Sequence, residues 1–161
     1  MPTWTDLESG APEIAEAGRR LLKTLEVAYL ATVTRAGRPR LHPFCPAIAD
    51  GRLWAFIMQE SPKRTDLDAN GYFAMHAMPG DEDEEFCVTG LAAHEPDPTL
   101  RELAVAAMPY ADADERHILY EFFPEHALWT TWENFQKPGM RPVHRAWSFD
   151  EFCRKYSGRG R

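Results

Sequence analysis

Asp50-Gly51, set between two apolar runs, constrains this chain more than any other pair of residues. Asp-Gly supplies the positive-φ positions of a tight two-residue turn whose twist suits antiparallel strands, so it joins two strands and fixes their register. The strand that follows, Arg52 to Met58, then points Leu53, Ala55 and Ile57 one way and Trp54, Phe56 and Met58 the other. Both faces are apolar, which predicts a central strand. Before the turn, Val27 to Thr34 reads as a strand closed by Arg35-Ala36-Gly37, with Gly37 taking positive φ. The run from Arg38 to Ile48 is also extended, but Pro39, Pro43 and Pro46 each remove a ladder donor. Such a strand is either an irregular edge or one whose free backbone groups face a ligand.

Further strands are predicted over Gly71 to Pro79 and Phe86 to Glu95, with Gly90 marking a bulge or a close approach. His126 to Trp132 is a sixth, and Val143 to Phe149 the last. Helical spacing appears in Pro12 to Leu25, where Ile14, Ala17, Leu21, Leu22 and Leu25 share a side, and again from Asp97-Pro98 to about Ala107. Asp112 to Phe123 reads as a short helical piece, Met1 to Gly10 as a loose arm, and Arg154 to Arg161 as a frayed tail. No repeat or low-complexity linker divides the chain, so we expect one domain over residues 1–161, mainly β: an antiparallel barrel of about six strands with helices over its openings.

Charge and cysteine usage narrow the function. A net charge of -7 argues against general binding to nucleic acid or anionic membrane, both of which need clustered cations. No run approaches the ~20 apolar residues of a membrane span. Three scattered cysteines, Cys45, Cys87 and Cys153, make no Cys-x-x-Cys pair and fit a reducing compartment. Met1 to Gly10 lacks a basic region followed by an apolar one, so the expectation is a cytoplasmic protein. His42 and Cys45 lie three apart, which on an extended chain places them on opposite faces and disfavours zinc.

One stretch carries chemistry. In Ser61-Pro62-Lys63-Arg64, Pro62 suits the first position of a helix running to about Ala69, with Ser61 as its N-cap. An anion there would meet a hydroxyl, two cations and a positive dipole end together. By itself the tetrapeptide more often describes a capped, solvated helix start.

The order and spacing of three segments are more specific. Tyr29-Leu-Ala-Thr-Val-Thr-Arg-Ala-Gly-Arg-Pro-Arg-Leu-His-Pro43, Asp50-Gly-Arg-Leu-Trp-Ala-Phe56 and Ser61-Pro-Lys-Arg-Thr-Asp-Leu67 together resemble the pyridoxamine 5′-phosphate oxidase-like family of FMN-binding split β-barrels. The resemblance runs from about Glu26 to Gly90 and more faintly to Phe149. It implies a six-stranded antiparallel split barrel that pairs as a homodimer with flavin at the subunit interface. It also implies an FMN phosphate held by Ser61, Lys63 and Arg40, with Arg64 beside them, and a ring slot built from Leu41, His42 and Pro43 and from Phe56, Ile57 and Met58. Trp129 and Trp147, with Trp132 and Arg145, are the residues it offers for reaching the partner's flavin.

The match to the oxidases proper departs at Pro62, where they carry arginine, and at Cys45, where they carry a lysine for the substrate's phosphate. The implied activity is therefore flavin-mediated hydride transfer to or from a small, unidentified substrate rather than oxidation of pyridoxine phosphate. Relatives of this barrel make the deazaflavin F420 an alternative cofactor, since its phosphate and lactate tail would use the same cations. Haem, through His42, His126 or His144, is a further alternative, as is flavin or tetrapyrrole storage without turnover.

Overall fold

The computed structural model describes residues 1–108 and 113–157. These residues fold as one eight-stranded sheet, all of whose pairings are antiparallel, flanked by five α-helices. Helix α1 (Trp4–Gly10) and helix α2 (Pro12–Leu25) precede strands β1 (Ala28–Val33), β2 (Pro39–Phe44), β3 (Pro46–Ala49) and β4 (Arg52–Met58). Helix α3 (Pro62–Asn70), β5 (Tyr72–Ala77), β6 (Glu85–His94), α4 (Pro98–Ala107), β7 (His117–Glu133), β8 (Arg141–Ser148) and α5 (Phe149–Ser157) complete it.

The strand order is β2-β1-β5-β6-β7-β4-β3, so the two edge strands are consecutive in sequence and separated only by Cys45. That single residue turns the chain from one edge to the other and so brings the sheet round into a barrel. Strand β7 makes the barrel split. One side of it pairs with β6, while its other side pairs first with β4 (Leu53↔Phe122) and then with β8 (Ala127↔Trp147). The hairpin at Asp50-Gly51 forms as the sequence predicts, with φ of 49° and 67°, and pairs Ala49 with Arg52. Gly90 interrupts the β6–β7 register, where an added Cβ would stand 2.0 Å from Phe123 O.

The core fills the barrel with Leu30, Leu53, Ala55, Ile57, Met75, Val88, Tyr120 and Phe122. A second cluster, Trp54, Ala104, Met108 and Leu119, lies outside it, where α4 covers the outward faces of β3 and β4. This explains why both faces of β4 are apolar.

Four sequence expectations are corrected. The run from Arg38 to Ile48, read as one strand, breaks at Cys45 into β2 and β3 on opposite edges, and the sheet has eight strands where about six were expected. Of the segment from Asp112 to Phe123, read as helical, residue 112 lies outside the described residues and His117 onward is the start of the 17-residue strand β7. Its inner residues Tyr120 and Phe122 fill the barrel while Leu119 and Glu121 are buried on the outside, so no polar face reveals the period of two. Met1 to Gly10 is not loose: Thr3 N donates to Asp6 Oδ2 at 2.7 Å at the start of α1, and Trp4 and Leu7 are fully buried. Of the tail from Arg154 to Arg161, expected to be frayed, Arg154 to Ser157 belongs to helix α5 and residues 158–161 lie outside the described residues; Phe149 and Phe152 of the same helix pack near Trp147. Among the described residues no helix is long and apolar enough to cross a membrane.

Candidate functional site

Helix α3 begins as the sequence predicts. Ser61 is extended at φ -68° and ψ 133°, Pro62 follows at the first helical position, and Arg64 N donates to Ser61 O at 3.0 Å. The Ser61 hydroxyl makes no capping bond, which leaves it free for a ligand. The helix ends on Gly71, whose φ of 73° takes the left-handed turn that lets its N–H reach Leu67 O at 2.8 Å.

Two faces of α3 are fixed to the barrel by different networks. On one, the buried Asp66 carboxylate accepts the Thr32 hydroxyl of β1 at 2.7 Å and faces Arg40 Nε of β2 at 3.4 Å. Asn70 Nδ2 extends this tie by donating to Val33 O at 2.8 Å. On the other face Asp68 accepts the Tyr120 hydroxyl of β7 and lies 3.4 Å from Arg64 Nε, while Arg64 Nη1 donates to Gln59 O at 3.3 Å. Burial and the neighbouring Asp68 both push the Tyr120 phenol upward, so it stays a donor.

Lys63 lies on the Asp66 side. It is half-buried, and no carboxylate of the described residues pairs with it. Burial lowers its pKa, opposed by the nearby Cys45 thiol, itself pushed up by burial. His42 points the same way, because its register partner is Leu30, fully buried in the barrel. His42 Nε2 is buried without a hydrogen-bond partner, and burial with the Lys63 and Arg40 cations depresses the imidazole pKa. Lys63, Arg40 and His42 thus form a basic cradle on the Asp66 side of α3, with Ser61 at the start of the same helix, two residues before Lys63.

Strand alternation separates the other candidates. Leu41 and Pro43 fall on the opposite, outward face of β2 from Arg40 and His42, and Leu41 is 64% exposed. Phe56 does not open towards the cradle. It shares the outward face with Trp54 and Leu119 under α4, with the Arg101 guanidinium 4.9 Å from its ring centroid. Ile57 is core, and Met58, 46% exposed, is the strand residue nearest Ser61 in sequence. Arg64 is held by Asp68 and Gln59 and does not join Lys63.

Of the residues offered for reaching a partner, Trp147 is buried, with its ring packed near Phe149 and Phe152. Trp129 donates Nε1 to Glu84 at 2.7 Å beneath the Arg145 guanidinium, 4.4 Å from its ring. The sequence reading missed Asp66 altogether and placed His42 in the ring slot. The signals for both were available: Lys63 and Asp66 are three apart on one helical face, and Arg40 and His42 are two apart on one strand face. Two cavities lie elsewhere. One of about 420 Å³ is bounded by α2, β3 and the end of α4, and one of about 360 Å³ lies over Leu128, His126 and Ser148. Among the described residues no cluster of three or more histidines, cysteines or carboxylates is placed to hold a metal.

No family model matches the sequence, and no curated protein is significantly similar to it. Solved structures are. A NimC/NimA family protein from Clostridium acetobutylicum superposes with a TM-score of 0.60 at 19% identity, over 81% of this chain and 92% of that one. A protein from the same organism, related to general stress protein 26 and of the pyridoxinephosphate oxidase family, gives 0.61 at 14% identity, over 86% and 96%. The chain has the pyridoxamine 5′-phosphate oxidase-like fold. A haem-binding protein from Mycobacterium smegmatis is also similar, with a TM-score of 0.65 at 16% identity over 89% of this chain, which spans 61% of that protein's length. Within the pyridoxamine 5′-phosphate oxidase-like fold the cradle of this chain stands where the strand β4 hands over to α3, the place the sequence motif marks.

Proposed function

We propose that this chain is an FMN-binding oxidoreductase that acts as a homodimer on a small substrate. The observation that carries it is the meeting of half-buried Lys63, Arg40 and an orphaned His42 ring nitrogen on one side of α3, the helix that opens on the uncapped Ser61. A buried polar atom left without a partner, as His42 Nε2 is, costs about 1–3 kcal/mol, a cost that a bound phosphate removes. FMN when bound supplies hydride transfer at its N5. The chain's own part is to hold the phosphate through Ser61, Lys63 and Arg40, and to present the apolar surface against which the ring lies. The pyridoxamine 5′-phosphate oxidase-like fold supports this cofactor, and F420 would use the same cations.

The dimer is supported by an outward sheet face that the monomer leaves bare. Leu41 of β2, Tyr29 of β1 and Tyr72 of β5 are 64%, 41% and 59% exposed on adjoining strands. The test is titration of purified, cofactor-stripped protein with FMN, F420 and haemin in turn, followed by absorbance and fluorescence. Saturable FMN uptake, with bleaching by a nicotinamide donor and recovery in air, is the expected result. Uptake of F420 with FMN ignored moves the cofactor to the deazaflavin. Haem is the second reading, favoured by the likeness to the Mycobacterium smegmatis protein, and a Soret band with no FMN uptake would establish it. It would use the exposed His126 or His144, whose Nδ1 already meets Thr130 Oγ1 at 3.0 Å.

A further inference from the structure

We propose that His42 is a direct ligand of the bound phosphate through Nε2, and that it takes up a proton when a doubly charged phosphate enters. This rests on the FMN reading of the cradle and adds to it a proton coupling.

The geometry comes first. His42 is fixed on the inward face of β2 opposite Leu30, two residues from Arg40, and its Nε2 is buried with no partner among the described residues. The groups that face it are Lys63 and Asp66 from α3 and Arg40 from its own strand, while β1 contributes only the apolar Leu30. The Cys45 thiol, uncharged because burial raises its pKa, stands near Lys63. Arg64 and Asp68 pair on the other face of α3 and contribute no net charge.

Charge balance then decides the protonation. Two cations, Arg40 and Lys63, against one carboxylate, Asp66, leave the empty cradle with an excess of about one positive charge, which with burial keeps the imidazole neutral. A phosphomonoester carries close to two negative charges at neutral pH. Its arrival reverses the local sign, so the imidazolium becomes the favoured form and supplies a charge-assisted hydrogen bond in place of a neutral one. A flavin without phosphate would bring no such reversal.

The test is isothermal titration calorimetry of FMN into the stripped protein at about pH 7.5, in two buffers of different ionisation enthalpy, a pH at which the phosphate, with a second pKa of about 6, is mostly a dianion. Cations can only draw protons off the phosphate, so net proton uptake identifies a protein group. The wild type is expected to take up a fraction of a proton with FMN, and its affinity to fall by up to about tenfold per pH unit as pH rises above the ordinary histidine value. His42→Gln, which keeps a neutral donor, is expected to bind FMN with no uptake and with that slope removed. FMN binding by the wild type without proton uptake, or uptake that persists in His42→Gln, overturns the proposal and leaves the cofactor reading standing. No FMN binding by the wild type overturns both.

Discussion

Arg40 Nε stands 3.4 Å from Asp66 Oδ2, the same carboxylate oxygen that accepts the Thr32 hydroxyl at 2.7 Å. One buried acid on α3 therefore fixes both β1 and the irregular β2, and sets where the Arg40 guanidinium lies. The Arg64, Asp68 and Tyr120 contacts on the other face do the same towards β7. With both faces secured, the start of α3 and Lys63 are held before any ligand arrives, and a ligand pays little ordering entropy there.

Removing the free hydroxyl and the unpaired cation together should weaken FMN binding most directly. Ser61→Ala with Lys63→Ala is expected to cost about 2–4 kcal/mol, from roughly 1.5–3 for a charged hydrogen bond and about 1 for a neutral one. Flavin fluorescence titration reads it. An unchanged affinity would mean that the phosphate lies elsewhere.

Asp66→Asn separates the two roles of the buried acid. The amide oxygen can still accept from Thr32, while the negative charge beside Arg40 is lost. FMN is expected to bind about threefold to tenfold tighter, since a unit charge a few ångströms away is worth about 1 kcal/mol or more in a partly screened site. Riboflavin affinity should not change, and a parallel gain for riboflavin would show that the substitution acts through the ring slot.

The frame of this site was legible because its signals are local. Asp50-Gly51 sets a turn, Pro62 and Ser61 set a helix start, and Gly90 marks a bulge, each through backbone chemistry that one or two residues decide. What was not legible depends on which face meets which neighbour. Phe56 reads like Ile57 in sequence, yet α4, some 40 residues on, covers one face of β4 and removes Phe56 from any slot. In β7 the burial of both faces erased the alternation that marks a strand, and in α1 the pattern is too short to show that Trp4 and Leu7 enter the core. Trp147 illustrates the same limit, since a tryptophan next to an exposed strand residue can be either an outward reach or, as here, core.

Arg52 and Glu121 test the buried ion pair between β4 and β7. Arg52 Nη1 donates to Glu121 Oε2 at 2.6 Å, and the Glu121 side chain is 3% exposed with Oε1 unpartnered. Burial raises the Glu121 pKa, aided by Glu95 and opposed by Arg52. Arg52→Ala is expected to cost about 2–4 kcal/mol near pH 7, below the full value for a buried pair because Arg52 is partly exposed. A raised folded-state pKa gives stability that is present below the ordinary glutamate value and lost as pH rises through the folded value. Without Arg52 that value rises further, so the deficit should shrink on acidification towards about pH 4.5. Urea unfolding at both pH values reads it, and a deficit independent of pH would assign the loss to packing instead.

The bare sheet face gives the last test. Leu41, Tyr29 and Tyr72 present apolar surface on β2, β1 and β5, and the register places Leu41 opposite Ala31, which in turn lies opposite Ala74. A contiguous outward strip of this kind is the sort a second copy covers, since a charge introduced there would be buried at an interface and harmless on a free surface. Leu41→Asp is therefore expected to convert a dimer to a monomer in sedimentation velocity while leaving the unfolding free energy of the monomer within about 0.5 kcal/mol. If flavin lies across the subunit interface, FMN affinity should fall with dimerisation even though Leu41 is on the opposite face of β2 from Arg40 and His42. A wild type that sediments as a monomer, or a variant that stays dimeric, would remove this face from the interface.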